Sequence, residues 1–128
     1  MTGPSQTKRS RWCDDGGTAA VEFALVAPLV VMLLVGIMSL SLMLLSIGSM
    51  HFAAESAARC ASANPTTCSS SAAIVAYANS RYFGALITPV FTYASAACGN
   101  QVNASVTYTL DVGMYKQSVP LSATSCFP

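Results

Sequence analysis

"GGTAAVEFALVAPLVVMLLVGIM", Gly16 to Met38, carries one acid, Glu22, at the threshold of a long apolar run, and two glycines stand just before it. From Phe23 to Met50 there is no ionisable side chain. As an α-helix that stretch would be about 42 Å long, against about 30 Å of bilayer hydrocarbon. Lipid offers no water to unpaired backbone groups, so a lone spanning segment must be helical. The stretch therefore predicts a single transmembrane helix. An ordinary secretory signal fits less well, because the apolar run is about twice the 7–15 residues such a signal needs. The usual small-x-small cleavage site is not obvious after it either. Pro28 removes a helical hydrogen bond and is expected to loosen the helix locally. Gly36 and Gly48 are points where helices can approach closely, although glycine and proline are also simply commoner in membrane helices.

Composition agrees with an anchored chain. The 128 residues leave room for one small domain besides the anchor. Charged residues make up 9%, far below the roughly 25% of soluble proteins, and 53% are hydrophobic. A net charge of +1 supplies no basic face for nucleic acid, so no nucleic-acid partner is expected. Lys8, Arg9 and Arg11 precede the apolar run and no comparable cluster follows. That asymmetry predicts a cytoplasmic N-terminus and a domain on the far side of the membrane.

Counted from Gly17, Thr18 is the first residue, Glu22 the fifth and Phe23 the sixth. A basic, polar leader lies before the glycine. This arrangement resembles a class III signal, which a membrane-embedded prepilin peptidase cuts after the glycine on the cytoplasmic face. More specifically, Gly17, Ala20, Val21, Glu22, Phe23, Ala24, Leu25, Val26, Pro28 and Leu29 resemble the pattern G-x-x-A-V-E-F-A-L-V-x-P-L of the TadE-like family of tight-adherence (Tad/Flp) pilus proteins. Where many relatives carry a further acid one turn after the mid-helix glycine, this chain has Met38, Ser39 and Leu40.

The resemblance implies a minor pilin or pseudopilin needed to assemble a type IV-like pilus for surface attachment, matured by cleavage between Gly17 and Thr18. The implied partners are the prepilin peptidase, other pilin or pilus-assembly subunits in a hetero-oligomeric assembly, and lipid of the bacterial inner membrane. No cofactor is implied. Glu22, Phe23 and Pro28 are the residues assigned to assembly and register. Chemistry gives each motif residue a reason. A glycine before the cut lets the backbone lie close inside a peptidase cleft. A carboxylate costs about 2.5–3.5 kcal/mol at the middle of a membrane helix and less near the interface. A helix beginning at Thr18 places Glu22 in its first turns, where the macrodipole favours an anion. There it can pair with an ammonium, its own or a neighbour's, an arrangement that offsets desolvation only in good geometry.

The expected organisation is a leader, 1–17, a transmembrane helix, 18–50, and a periplasmic or extracellular head, 51–128. Met50, Phe52, Ala53, Ala54, Ala57, Ala58 and Ala61 continue the helix beyond the bilayer, with Glu55 and Arg59 in the favourable i,i+4 order. Asn64-Pro65 should end it. Ser69, Ser70 and Ser71 offer N-caps for a second helix to about Phe83, with Gly84 as its stop. Ile74, Tyr77, Ala78, Arg81 and Tyr82 share one side of it. Val102, Ala104, Val106, Tyr108, Leu110 and Val112 then alternate with polar residues, the clearest strand signal in the chain. "CGN", Cys98 to Asn100, is the turn before this strand. An earlier strand is expected within Leu86–Tyr93, at an edge because of Pro89, and a last one over Gln117–Ser122. The fold class is α+β and pilin-like: a spine helix, a second helix and about three antiparallel strands.

Such a head has a thin core and needs staples. Cys13 lies in the leader, whereas Cys60, Cys68, Cys98 and Cys126 fall on the outer, oxidising side. Three pairings are possible. Cys60–Cys68 with Cys98–Cys126 is preferred, since the first closes over Asn64-Pro65 and the second ties the C-terminus to the sheet. Metal ligation is disfavoured by the lack of CxxC spacing and the single histidine, His51. His51 sits at the expected membrane exit as an interfacial polar residue, and no nucleophile elbow accompanies it, so no enzymatic activity is expected. Asn103-Ala-Ser matches a glycosylation sequon that has little weight in a bacterial-type protein. Two rival readings keep the membrane segment but change its use. One is a permanently anchored single-pass protein whose disulfide-rich outer domain binds an envelope partner or ligand. The other is a secreted domain released by signal removal beyond about residue 48.

Overall fold

The computed structural model describes residues 16–84, 87–111, 113 and 115–128. Lys8, Arg9, Arg11 and Cys13 of the expected leader lie outside the described residues, as do Leu86 and Val112 of the expected strands. The chain divides into two compact units, residues 1–35 and 36–128.

Helix α1 spans Gly16–Ala63, 48 residues, with Pro28 inside it. It ends where Asn64-Pro65 forces the backbone out of the α region; the Asn64 N–H closes the last turn on the Cys60 carbonyl at 2.9 Å. Its start lies two residues before Thr18, so the glycine pair is wound into the first turn. In the first unit, Val21, Phe23, Leu25 and Leu29 are each more than half exposed, and no side chain described there is buried.

In the second unit the helix is two-faced. Gly36, Ser39, Met43, Ser46, Ile47, Ser49 and Met50 are buried or half-buried, at the three- and four-residue spacing of one helical stripe. Ser46 Oγ donates to the Leu42 carbonyl at 2.9 Å and Ser49 Oγ to the Ser46 carbonyl at 3.0 Å. Each serine thus satisfies its hydroxyl on its own helix and presents little bulk to the packed face. Ala53, Ala54, Ala57 and Ala58 extend the stripe and are fully buried.

Helix α2 spans Ser71–Arg81 and is capped by Ser70, whose Oγ accepts from the Ala73 N–H at 3.2 Å. It stops before Phe83, because Tyr82 turns extended (φ −77°, ψ 128°) and brings its ring edge-on to Phe91, 6.3 Å away. Gly84 is therefore not the helix stop; its missing side chain leaves the space that the Tyr82 ring occupies. Ile74 and Ala78 are the buried residues of this helix.

Three strands, β1 (Val90–Ala96), β2 (Gly99–Asp111) and β3 (Lys116–Phe127), form an antiparallel meander in the order β1-β2-β3. Val102, Ala104 and Tyr108 on β2, Phe91 on β1, and Leu121 and Ala123 on β3 form the buried face, packed with Met50, the α1 alanines, Ile74 and Ala78 into one core. The alternation read from Val102 to Leu110 is this face. β1 begins only after Pro89, later than expected. β3 is twice the expected length: it runs through Pro120, which is tolerated because β3 is an edge strand, and continues to Phe127. The β1–β2 turn is tight, and Gly99 has φ +114°, where an added Cβ would lie 2.4 Å from the Phe127 carbonyl oxygen. Only glycine fits there without moving backbone.

The cysteines pair as Cys60–Cys68 and Cys98–Cys126, with Cα separations of 5.9 and 6.2 Å. Glu55 and Arg59 form the expected ion pair, and the Arg59 guanidinium also sits over the Phe127 ring, 5.5 Å from its centre.

Candidate functional site

The residues singled out for processing and assembly all lie on the N-terminal part of α1. Gly17 is exposed and nothing lies within 4 Å of the position a Cβ would take. The Gly17–Thr18 bond is in the helix's first turn, where glycine costs about 1 kcal/mol in helix propensity relative to alanine. Glu22 follows Thr18 by one turn on the same side, and side chains on a helix lean toward its N-terminus. The Glu22 carboxylate is exposed and makes no ion pair among the described residues. Phe23 is 74% exposed, and Pro28 is accommodated without ending the helix.

Around these residues the surface is apolar on every side. Among the described residues α1 is the one helix long and apolar enough to cross a membrane. Valine, leucine and methionine side chains so exposed need a cover, and lipid or the apolar surface of another subunit supplies the right chemistry.

Residues 17–59 match the family model for TadE-like protein. No curated protein and no solved structure matches the chain. The TadE-like segment begins at the glycine before Thr18 and covers α1 to within a turn of its end. It includes Glu22, Phe23 and Pro28, and so takes in the exposed apolar part of the helix together with the part on which the head packs.

Some contacts were not legible beforehand. The Tyr108 hydroxyl donates to the Ser39 carbonyl at 3.2 Å. At the other end of the sheet, Asn100 Nδ2 donates to Ser62 Oγ at 2.9 Å while Asn100 Oδ1 accepts from the Tyr93 hydroxyl at 2.6 Å. The head thus grips α1 from Ser39 to Ser62, well inside the stretch without charges. The signal for this was present: Ser39, Ser46 and Ser49 interrupt the apolar run at helical spacing. His51 is exposed. Asn103 Oδ1 accepts from Thr124 Oγ1 at 2.8 Å, so its amide is tied to the neighbouring strand. At the far end of β2 and β3, Lys116 Nζ lies 2.8 Å from Asp111 Oδ2. The hydrogen bond from Lys116, and after it that from the Gly113 N–H, holds the Asp111 carboxyl below its usual range, and the same bond raises the Lys116 ammonium.

Proposed function

We propose that the chain is a minor pilin of the tight-adherence pilus, an assembly protein and not an enzyme. In this reading the leader stays in the cytoplasm and a prepilin peptidase removes it between Gly17 and Thr18. The mature helix waits in the inner membrane with the stapled head on the periplasmic side, then moves from lipid into a filament or a base complex. The observation that carries it is the match over 17–59, which brings glycine, acid, aromatic and proline into register at the start of a helix with no buried side chain among its first described turns.

Glu22 supplies the mechanism. Cleavage creates an α-amine at Thr18, one turn from the carboxylate. In the membrane the two lie at the interface. In an assembly they are drawn into an apolar environment, where an unpaired acid is costly and a paired one much less so. A subunit that enters with its Glu22 opposite an ammonium, its own or a neighbour's, is favoured over one displaced by a turn, so the pair sets axial register.

N-terminal sequencing of the membrane-purified protein from cells that possess the peptidase tests the reading. A first residue of Thr18 is expected; an intact leader favours the permanently anchored alternative, and a soluble product starting beyond about residue 48 the secreted one. Glu22→Gln keeps the shape and removes the charge. It is expected to be cut normally yet to drop out of the pilus complex, read as loss of co-purification with its other subunits. Undiminished co-purification would remove the register role from Glu22.

A further inference from the structure

The charges of the second unit are few and unevenly placed. From residue 36 on, its lysines and arginines are Arg59, Arg81 and Lys116, and its acids are Glu55 and Asp111. Lys116 and Asp111 pair with each other at the far end of β2 and β3. The two arginines come together elsewhere. Arg59 and Arg81 line one hollow of about 320 Å³ between the C-terminal turns of α1 and those of α2, along with Ser56, Cys60, Asn64 and Tyr77.

Helical spacing explains the gathering. Ser56, Arg59 and Cys60 fall on one stripe of α1, and Tyr77 and Arg81 stand four apart on α2. Cys60 is buried and bonded to Cys68, whereas Arg59, Asn64 and Arg81 are exposed. The hollow thus has a closed floor and an open, cationic rim. Both guanidiniums are already held in place. Arg81 Nη2 donates to the Tyr77 hydroxyl at 2.8 Å, and the guanidinium carbon lies 4.9 Å from the centre of the Tyr77 ring. Arg59 is held between Glu55 and the Phe127 ring. Glu55 offsets one of the two charges, while Arg81 has no acid partner among the described residues. One positive charge is left over. Two cations bordering one space repel each other, and a shared anion turns that cost into attraction.

We propose that this hollow binds a carboxylate side chain presented by an acidic segment of a partner protein, with Arg81 as the principal donor and Arg59 as the second cation. The site lies wholly within the second unit and does not depend on α1 crossing a membrane. A single excess charge matches a carboxylate better than a phosphate, which carries close to two negative charges at neutral pH. The planar guanidinium fork offers a carboxylate two parallel N–H donors. Holding Arg81 on Tyr77 beforehand reduces the ordering that binding would otherwise cost. The openness of the hollow favours a side chain reaching in from a protein surface over a free small molecule, because small-ligand sites enclose about 70–90% of what they bind. The Ser56 hydroxyl and the Asn64 amide add uncharged donors at the same place.

The test titrates the full chain in detergent with a dye-labelled tetraglutamate peptide, read by fluorescence polarisation at about 0.1 M salt, where distant charges are largely screened. Lys8, Arg9 and Arg11 are replaced by glutamine in every sample, so that this basic cluster does not take the probe. Saturable binding is expected. Arg81→Gln is expected to weaken it at least tenfold, the loss typical of a hydrogen bond to a charged group. Lys116→Gln removes the same charge from an exposed side chain outside the hollow and is expected to leave binding unchanged. Each variant's melting profile should match the parent's, since both substitutions fall on exposed side chains. Absence of saturable binding, or an Arg81→Gln protein that binds as the parent does, would overturn the proposal. Equal weakening by the two variants would reduce it to attraction by overall charge and so remove the site. Acetate or inorganic phosphate displacing the peptide at matched concentration would overturn the choice of occupant.

Discussion

Gly17→Ala is expected to leave the leader attached to essentially all of the protein in cells that possess the matching prepilin peptidase, read as an N-terminus that still contains Lys8, Arg9 and Arg11. The fold gives no reason for a glycine here. An added Cβ meets nothing within 4 Å, and alanine in place of glycine favours the helix by about 1 kcal/mol. Insertion and the melting of the head should therefore be unchanged, so that a loss of processing reports the protease alone. Two physical causes would act together. The methyl group narrows the approach of the backbone to a catalytic cleft. The bond to be cut must also leave the first helical turn, and a stiffer turn resists that. Gly16→Ala separates them, since it stiffens the same turn one residue away from the bond: comparable loss assigns the effect to unwinding, near-normal processing to the cleft. Normal processing of Gly17→Ala itself would remove the cleavage assignment.

The helix was legible almost to its ends because its causes are local. An uncharged run of lipid length, an alanine-rich continuation and Asn64-Pro65 each act through neighbours in sequence, and α1 ends at Ala63 accordingly. The alternation from Val102 to Leu110 was legible for the same reason and became the buried face of β2. What escaped was set by partners distant in sequence. β3 reads as a short strand because Pro120 and its serines carry weak local preference. It extends to Phe127 because β2 offers a ladder as far as Asn100, which pairs with Phe127. Tyr82 ends α2 early because Phe91 gives its ring a place to pack. Ser46 and Ser49 lie within the uncharged run, yet they are fully buried in the packed face of the helix. At the candidate site the motif itself was legible from Gly17 to Pro28. The winding of Gly17–Thr18 into a helical turn was not, since nothing in a glycine pair predicts that the helix begins there.

Replacing Cys98 and Cys126 by serine is expected to destabilise the head more than replacing Cys60 and Cys68. Loop closure gives about 3.6 kcal/mol for the first bond and about 2.6 kcal/mol for the second, sizeable against the roughly 5–15 kcal/mol that holds a whole domain together. Native structure should widen the gap. Around Cys60–Cys68 the chain is already organised by backbone hydrogen bonds, from the Asn64 N–H to the Cys60 carbonyl at 2.9 Å and from the Cys68 N–H to the Asn64 carbonyl at 3.0 Å. Cys98–Cys126 joins the β1–β2 turn to the end of an edge strand, beside Gly99 in its positive-φ conformation and beside the Asn100–Ser62 contact that holds the sheet on α1. Without that bond the end of β3 has one neighbouring strand, and beyond it only the Ser62 hydroxyl on the Phe127 carbonyl and the Arg59 guanidinium over the Phe127 ring. Denaturant titration in detergent should therefore show the sheet's signal lost early in the Cys98→Ser, Cys126→Ser protein. The helical signal should persist, because the hydrogen bonds of α1 are internal to the helix. A larger loss from Cys60→Ser, Cys68→Ser would mean that the junction of α1 with α2, and not the edge of the sheet, is where the head first gives way.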